Sequence, residues 1–311
     1  MPIQKSDKPT LLITGANGLL GQNLLLQLLE DSPYRIIATG RGGSRLPDAW
    51  NHFTYREMDL VDHKAIRRVF GEEKPDIVIH AAAMTHVDQC ELNQEECYQQ
   101  NVVAVQNLIK ACELESSFLI HLSTDFIFDG ESGPYLEEAS PNPVNYYGET
   151  KWEAERLVQN AKLDWAIVRT VLVYGALMNG EKGNFITWIK SSLEAGKTLT
   201  MVNDHVRTPT FAGDLAAGCL LIAKNKAKGI YNISGEETMT PYDMAIATAR
   251  YFKLPEENIK KVDSTTFTQD AKRPMITGFD IEKAKKMLGY SPKSFKEGIG
   301  ILAKQIKLAR S

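Results

Sequence analysis

The chain has 311 residues, of which 43% are hydrophobic and 24% charged, and these proportions exclude a disordered or fibrous protein. Its 36 basic and 39 acidic side chains leave a formal charge of −3, which predicts no surface for nucleic acid or an anionic membrane. The polar first eight residues lack the apolar core of a signal peptide, no run is long enough for a membrane helix, and the cysteines and histidines show no metal-ligand spacing. We therefore expect a cytoplasmic, globular protein without a metal site.

Short apolar runs alternate with helical patterns in the first half of the chain, which is typical of βαβ units and a parallel sheet. Strands are predicted at residues 11–13, 35–38, 77–79, 118–120 and 166–168. Because these runs are apolar on both faces, we expect helices to cover both sides of the sheet. Long helices are predicted over 93–115 and 148–161.

The second half is less regular and predicts a smaller lobe. Its predicted elements are a helix over 185–193, a strand over 198–202, a helix over 214–223, a strand over 230–233 and helices in 240–311 broken at Pro255, Pro274 and Pro292. The predicted fold is α/β, with a Rossmann-type doubly wound parallel sheet over residues 1–173 that segment 206–236 completes. A partly interleaved C-terminal α/β lobe, residues 174–205 and 237–311, is expected to bind the substrate.

The first functional motif is a glycine-rich turn between the first strand and the first helix. Gly15 permits a tight turn, Gly18 lets the backbone approach a pyrophosphate, and Gly21 allows close packing of helix on strand. The helix N-terminus then offers unpaired N–H groups to the anion. The residues of this motif expected to contact a dinucleotide are Gly15, Asn17, Gly18, Leu19, Leu20 and Gly21.

Further cofactor contacts are predicted where the next strands end. Arg41, with Arg45 nearby, follows the second strand at the position that distinguishes a 2′-phosphate from a free ribose, and so favours NADP(H) over NAD(H). The other candidates are Asp59 and Leu60 after the third strand, near the adenine, and Ala81, Ala82 and Ala83 after the fourth, where small side chains admit a flat ring.

A tyrosine and a lysine four residues apart carry the predicted chemistry. Tyr147 and Lys151 share one face of a helix, and the lysine ammonium is expected to lower the pKa of the phenol for acid–base work. Thr124 lies at the carboxyl end of the fifth strand, where its hydroxyl can bond a substrate oxygen beside the tyrosine.

Together, these motifs resemble the extended short-chain dehydrogenase/reductase family over essentially the whole chain, and its dTDP-4-dehydrorhamnose reductase branch in particular. The matching segments are residues 82–91, 123–130, 141–148, 207–216 and 272–274. Segment 123–130, Ser-Thr-Asp-aromatic-x-Phe-x-Gly, is distinctive of that branch, whereas the glycine turn belongs to the whole family.

The resemblance implies a reductase that uses NADPH, or NADH, to reduce a nucleotide-activated 4-keto-6-deoxy sugar. Tyr147 would donate the proton, Lys151 would hold the nicotinamide ribose and Thr124 would orient the carbonyl oxygen. The implied sugar-nucleotide contacts are Thr85, Thr124, Asp125 and Arg207, the last toward the diphosphate. Asn101 would support the lysine, and helices 93–115 and 148–161 would form a homodimer.

Two departures from the branch leave the substrate open. Leu172 occupies the place where a tryptophan is expected near the sugar, and the loop over 176–183 is longer. A nucleotide-sugar epimerase of the same family is one alternative, whereas Phe126 in place of an acid argues against a dehydratase. Another alternative is a non-catalytic regulatory subunit resembling that of methionine adenosyltransferase. The exact sugar, the nucleotide base, the preference between NADPH and NADH and the need for a divalent ion stay open.

Overall fold

The secondary structure follows the predicted alternation of strands and helices in a computed structural model that describes residues 8–179 and 183–308. The strands are β1 (Thr10–Thr14), β2 (Arg35–Gly40), β3 (Thr54–Glu57), β4 (Ile77–His80), β5 (Phe118–Thr124), β6 (Trp165–Thr170), β7 (Val173–Tyr174), β8 (Leu199–Val202), β9 (Thr210–Phe211), β10 (Gly229–Asn232) and β11 (Ile259–Val262). The helices are α1 (Leu19–Gln27), α2 (His63–Glu73), α3 (Val87–Leu92), α4 (Gln94–Tyr98), α5 (Ala104–Glu115), α6 (Tyr146–Gln159), α7 (Phe185–Glu194), α8 (Ala212–Asn225), α9 (Pro241–Phe252), α10 (Glu282–Leu288) and α11 (Phe295–Leu308).

In the described ranges, seven strands form one parallel sheet in the order β10-β6-β5-β4-β1-β2-β3. Strand β1 lies between β2 and β4, with Leu11 opposite Ile36 on one side and Ile77 on the other. The chain therefore runs outward in both directions from β1, which confirms the predicted doubly wound, Rossmann-type sheet. In such sheets ligands bind outside the carboxyl ends of the strands, where the order reverses.

Both faces of the sheet are covered because successive side chains of a strand point to opposite sides. In β1, Leu11 and Ile13 join an apolar cluster with side chains of α1 and α8. Leu12 joins a second cluster with side chains of α2, α5 and α6. The side chains of Leu11, Leu12 and Ile13 are fully buried, so packing fixes the position of β1 and of the glycine turn that follows it.

A third apolar cluster forms the smaller lobe, from α7, α9, α11 and the parallel pair β8–β11. Helix α10 differs from the predicted boundary, which assigned all of 237–311 to this lobe. Ile281, Ala284 and Leu288 belong to the cluster beneath the sheet, where α10 packs against α8. Helix α10 therefore packs on the large domain, whereas the next helix, α11, packs in the smaller lobe.

The predicted helix over 93–115 is interrupted. It consists of α4, a π-helical segment Gln99–Val103 and α5. Apolar residues keep a helical spacing on both sides of the insertion, so periodicity alone does not reveal it. Single π turns are frequent at functional sites, and this one contains Asn101.

Some predictions fall outside the described residues, namely the polar start within 1–7 and positions 180–182 of the loop over 176–183. Among helices of the described ranges, none combines the length and apolar character that crossing a membrane requires.

Candidate active site

A cavity of about 720 Å³ lies at the carboxyl ends of β1, β4 and β5, beside the reversal of strand order. Its position matches the crevice in which doubly wound sheets bind ligands. The predicted site residues that line it are Asn17, Gly18, Leu19, Leu20, Ala81, Ala82, Ala83, Thr85, Thr124, Asp125, Tyr147 and Lys151. The fold therefore gathers the glycine turn and the tyrosine–lysine pair, which are more than a hundred residues apart in the chain, around one space.

The glycine turn has the geometry that a pyrophosphate needs. Gly15 has a φ of +67°, and a Cβ atom there would lie 2.9 Å from the backbone nitrogen of Ala82. A Cβ atom on Gly21 would lie 2.4 Å from the Gly15 carbonyl oxygen. Gly18, the N-cap of α1, provides no side-chain cap, and Gly18, Leu19 and Leu20 line the cavity, so the start of the helix borders it without a capping side chain. These features fit a dinucleotide phosphate bound at the end of α1.

The two arginines after β2 have different environments. Both side chains are exposed, but Arg41 lies outside the cavity lining, whereas Arg45 is part of it. The Arg45 backbone N–H donates to Asn17 Oδ1 at 2.8 Å, and Asn17 Nδ2 donates to the Tyr55 hydroxyl at 3.0 Å. The loop that carries Arg45 is thereby tied to the glycine turn, and this places Arg45 rather than Arg41 at the cavity.

The residues predicted after β3 lie away from the cavity. Asp59 accepts a hydrogen bond from the Val61 backbone N–H at 3.0 Å and lines a smaller neighbouring groove. Leu60 is buried in the cluster around α2 and α5. The Asp59 carboxylate bonds within its own turn and the Leu60 side chain packs in the core. Neither residue lines the cavity beside the glycine turn.

Tyr147 and Lys151 are positioned by the start of α6. The Asn145 side chain accepts from the Gly148 backbone N–H at 2.9 Å and caps the helix. A Cβ atom on Gly148 would lie 2.1 Å from the Phe126 carbonyl oxygen, so only glycine lets α6 dock this closely on the segment after β5. Tyr147 and Lys151 follow on the buried face, one helical turn apart.

The Lys151 ammonium contacts residues at the end of β5. Its Nζ donates to the Leu122 carbonyl oxygen at 2.6 Å and lies 3.4 Å from His121 Nε2. His121 stacks on His80 with ring centroids 5.3 Å apart. Burial lowers the pKa of both imidazoles, that of His80 to about 3, so both stay neutral beside the lysine.

Burial dominates the acid–base properties of the pair. It raises the pKa of Tyr147, and the hydrogen bond with the Thr124 side chain opposes that rise without reversing it. The expectation that Lys151 produces a net lowering of this pKa is therefore wrong for the chain without ligands. Burial also lowers the pKa of Lys151 to about 8, against the opposing effects of Glu155 and Cys97. The tyrosine is thus fully protonated at neutral pH, as a proton donor must be.

Asp125 and Arg207 form a buried ion pair next to Thr124. The Thr124 hydroxyl donates to Asp125 Oδ1 at 3.1 Å, Thr277 donates to Asp125 Oδ2, and Arg207 Nε lies 3.7 Å from Oδ2. Burial raises the pKa of Asp125, and Arg207 opposes this. The carboxylate thereby orients the Thr124 hydroxyl at the cavity edge.

Arg207 itself lies behind the cavity lining, which differs from the predicted contact with a diphosphate. Its Nη1 donates to the carbonyl oxygens of Val206 and Met275, both at 2.8 Å, and its Nη2 donates to that of Pro274 at 2.6 Å. With 5% of its surface exposed, the guanidinium joins segment 274–277 to the end of β5.

Asn101 supports the site indirectly. Its side chain accepts from the Met84 backbone N–H at 2.8 Å and donates to the Met84 carbonyl at 3.0 Å and to Thr150 Oγ1 at 3.2 Å. It therefore fastens the segment after β4 to helix α6 through Thr150, which precedes Lys151.

Several lining residues were not predicted as site residues. Ser123 and Phe126 flank the predicted Thr124–Asp125 pair, and Leu172, noted only for its departure from the branch, has a φ of +36° at the cavity wall. Arg45, named in the sequence only as a neighbour of Arg41, also lines the cavity, and the remaining unpredicted lining residues are Val87, Leu122, Thr170, Val173, Leu177, Asn179, Gly183, Asn184 and Leu215. Only Asn184 among them had a signal in the sequence, because asparagine is a typical N-cap residue and it directly precedes the predicted helix over 185–193. In the parts of the chain that the structure describes, no group of three or more metal-ligating side chains occurs.

The chain is similar to proteins of one family along most of its length. Residues 9–308 match the family described as RmlD substrate binding domain. A dTDP-4-dehydrorhamnose reductase of Aggregatibacter actinomycetemcomitans is 32% identical over 93% of this chain and 96% of its own. A methionine adenosyltransferase 2 subunit beta of Xenopus tropicalis is 34% identical over 81% of this chain and 74% of its own. The crystal structure of a dTDP-4-dehydrorhamnose reductase from Bacillus anthracis in complex with NADP superposes with a TM-score of 0.84 and 26% identity, covering 96% and 99% of the two chains.

Proposed function

The chain belongs to the RmlD substrate binding domain family, and we propose that it is an NADPH-dependent reductase of a nucleotide-activated 4-keto-6-deoxy sugar. The observation that carries this proposal is the convergence of Thr124, Tyr147 and Lys151 on the cavity that the uncapped start of α1 borders. The similarity to reductases across nearly the whole chain supports the reaction class.

The cofactor half of the cavity suits NADP(H). The glycine turn would hold the pyrophosphate, Arg45 the 2′-phosphate, and the small side chains Ala81, Ala82 and Ala83 would leave room for the nicotinamide. When bound, the dinucleotide supplies a hydride. The same fit does not exclude NADH, for which Arg45 would have no phosphate partner.

Side chains of the protein supply the proton, orient the substrate carbonyl and stabilise the phenolate. The Tyr147 hydroxyl, protonated because burial raises its pKa, donates a proton to the carbonyl oxygen of the substrate. The single proton of the Thr124 hydroxyl is directed to Asp125 Oδ1 in this structure, and it would turn to donate to that substrate oxygen and fix it near Tyr147. Lys151, already bonded to Leu122, has N–H groups left for the nicotinamide ribose and stabilises the phenolate that forms.

The direct test is oxidation of NADPH by purified protein with dTDP-4-keto-6-deoxy sugars as substrates. We expect turnover that depends on both the cofactor and the sugar nucleotide. NADPH binding without turnover on any such sugar would contradict the proposed reaction. Homodimerisation through helices 93–115 and 148–161 stays a prediction, to be checked by sedimentation.

We predict that Arg45→Ala weakens NADPH binding by about 10- to 100-fold, the size expected when a charged hydrogen-bond partner of a phosphate is lost. NADH binding should change little, because NADH has no 2′-phosphate. The matched control is Arg41→Ala, which removes the other exposed arginine of the same loop, the one outside the cavity lining. Titrations with NADPH and with NADH measure the two affinities. If Arg45→Ala lowers both affinities equally, Arg45 does not recognise the 2′-phosphate.

We also predict that the affinity for NADPH falls as the pH rises through about 8, the pKa to which burial lowers Lys151. Above that pH the ammonium loses its proton, so it no longer carries the charge or all of the donors offered to the ribose. The decline should approach about tenfold per pH unit if only the charged form binds. NADPH binding curves measured at several pH values around 8 check this prediction. The Lys151→Met variant should bind NADPH more weakly, and its affinity should show no inflection near this pH.

A second candidate function is a regulatory subunit that binds NADP(H) without turnover. The similarity to methionine adenosyltransferase 2 subunit beta at 34% identity favours it. This candidate predicts a stable complex with a catalytic partner and no effect of Tyr147→Phe on that partner's activity. It is incompatible with Tyr147-dependent oxidation of NADPH by the isolated chain.

A further inference from the structure

A row of three polar side chains crosses the sheet on the face that α5 and α6 cover. His80 lies opposite Thr14 on one side and opposite His121 on the other, so the row runs from β1 through β4 to β5. All three residues are at most 1% exposed. Two positions before each of them, on the same face, the strands carry apolar side chains of the core, namely Leu12, Val78 and Leu119. Two imidazoles in this apolar layer need an explanation beyond packing.

Each imidazole of this row has one nitrogen with a polar partner. His80 Nδ1 lies 2.8 Å from Thr14 Oγ1, and His121 Nε2 lies 3.4 Å from Lys151 Nζ. The other two nitrogens, His80 Nε2 and His121 Nδ1, have no hydrogen-bond partner among residues 8–179 and 183–308. Buried polar atoms are rarely left unpaired. The hydrogen bonding of His121 is therefore directed to one group, the ammonium of Lys151.

The contact with Lys151 fixes the tautomer of His121. An ammonium only donates hydrogen bonds, so Nε2 must accept and the ring proton must lie on Nδ1. Burial lowers the pKa of His121 well below its usual value, and the charge of Lys151 lowers it further. The imidazole therefore stays neutral and keeps a lone pair directed at the ammonium.

His121 and its neighbour Leu122 together account for two of the three N–H groups of Lys151. The Leu122 carbonyl oxygen accepts at 2.6 Å, and both acceptors belong to β5. Lys151 also lines the cavity beside Tyr147. A single acceptor would let the ammonium pivot, whereas two acceptors on one strand leave the third N–H for a group in the cavity.

We propose that His121 is a positioning residue for Lys151: its neutral imidazole accepts one N–H of the ammonium and thereby directs another toward the cofactor ribose. The ribose as recipient rests on the proposed function, whereas the contact between the two side chains does not. The same hydrogen bond stabilises the charged form of the buried lysine. Lys151 is therefore better oriented, and stays charged to a higher pH, than a lysine with one acceptor.

The other ionisable groups near Lys151 are Tyr147 and Glu155 on α6, Cys97 on α4 and His80 on β4. Burial lowers the pKa of Lys151, and Glu155 and Cys97 oppose this effect. Tyr147 is protonated and His80 is neutral, because burial raises the pKa of the first and lowers that of the second to about 3. All of these groups remain when His121 is replaced, so a change in the titration of Lys151 reports the lost acceptor.

The test compares His121→Leu with His121→Gln. Leucine has a volume similar to that of histidine but no acceptor, whereas the amide oxygen of glutamine can take the place of Nε2. NMR titration of the Lys151 side chain in the protein without cofactor gives its pKa, and Lys151→Met assigns the signal. In His121→Leu we expect this pKa to fall from about 8 by about one unit or more, because a hydrogen bond to a charged group is lost. In His121→Gln it should stay close to its value in the natural chain.

His80→Leu is the matched control. It removes the neighbouring buried imidazole of the same row and leaves both acceptors of Lys151 in place. Its effect on thermal melting should resemble that of His121→Leu, but the pKa of Lys151 should not fall. If His121→Leu does not fold, His121→Asn replaces it, because the shorter amide ends near the place of Nδ1 and does not reach the ammonium.

NADPH titrations separate orientation from charge. The decline in affinity with rising pH should begin about one unit lower in His121→Leu than in the natural chain, following the pKa of Lys151. At about pH 6, where the lysine is largely charged in both proteins, the affinity should still be about three- to tenfold lower, the size expected for one misdirected hydrogen bond.

Three results would overturn the inference: equal shifts of the Lys151 pKa in His121→Leu and His80→Leu, equal shifts in His121→Leu and His121→Gln, or an unchanged NADPH affinity of His121→Leu at about pH 6. Failure of the proposed function looks different. If the natural chain turns over no keto sugar, the NADPH titrations still test His121. If it does not bind NADPH either, the NMR titrations alone decide whether His121 controls Lys151.

Discussion

Replacing Tyr147 with phenylalanine is expected to lower the rate of NADPH oxidation by about 10²- to 10⁴-fold, the usual contribution of a general acid. In the proposed reaction the Tyr147 hydroxyl donates the proton, and the buried ring packs edge-on against Phe126, with ring centroids 5.8 Å apart. Phenylalanine keeps that packing, so the fold and the affinity for NADPH should be preserved. Steady-state turnover and a cofactor titration on the same preparation measure the two quantities.

Tyr146→Phe is the control for that experiment. Tyr146 precedes Tyr147 on α6 but is only half-buried and lies outside the cavity lining. Its turnover should stay within about twofold of the natural chain, as is usual for a side chain that does not contact the reacting atoms. Unchanged turnover in Tyr147→Phe would place the proton donor elsewhere, whereas equal losses in both variants would indicate a general disturbance of α6.

The second large effect concerns stability, at the ion pair between Arg169 and Glu155. Arg169 Nη2 lies 2.8 Å from Glu155 Oε2, and the side chains are 2% and 0% exposed. Arg169 also donates to the Glu137 carbonyl at 2.8 Å and lies over the Phe128 ring. This pair joins the end of β6 to α6, the helix that carries Tyr147.

Glu155→Gln should lower the free energy of unfolding by about 3–5 kcal/mol, because it leaves a buried guanidinium without its counter-charge. Denaturant titration measures this change. The control is Asp164→Asn, which breaks an exposed ion pair with Lys228 whose side chains are 62% and 61% exposed. That variant should cost no more than about 1 kcal/mol. A loss of similar size in both variants would show that the buried pair contributes no more than a surface one.

Local spacing was enough to predict most of the sheet and the tyrosine–lysine pair. The apolar runs of β1, β4, β5 and β6 are short and bounded by turns, so each could be recognised on its own. The spacing of Tyr147 and Lys151 places them on one helical face whatever the rest of the chain does. The π-helical segment escaped prediction because the apolar period continues through it.

Charged and polar residues were harder to assign. Arg207 was predicted at the diphosphate, and Arg41 was predicted at the 2′-phosphate. In the structure Arg207 is buried behind the site and Arg45, rather than Arg41, lines the cavity. His121 carried no sequence signal as a partner of Lys151, because the two residues lie 30 positions apart on different elements. A polar side chain finds its role through whichever groups the fold brings to it, and these are distant in sequence.

The sequence by itself therefore determined the family and the sheet and predicted the groups proposed to carry the chemistry, since each depends on residues within a few positions of one another. Only the tertiary structure decided the electrostatics of those groups. Burial raises the pKa of Tyr147 and lowers that of Lys151, and the lysine, on α6, contacts His121 and Leu122 of strand β5. Desolvation and long-range contacts have no local pattern, so they follow from the packing of the whole chain around the cavity.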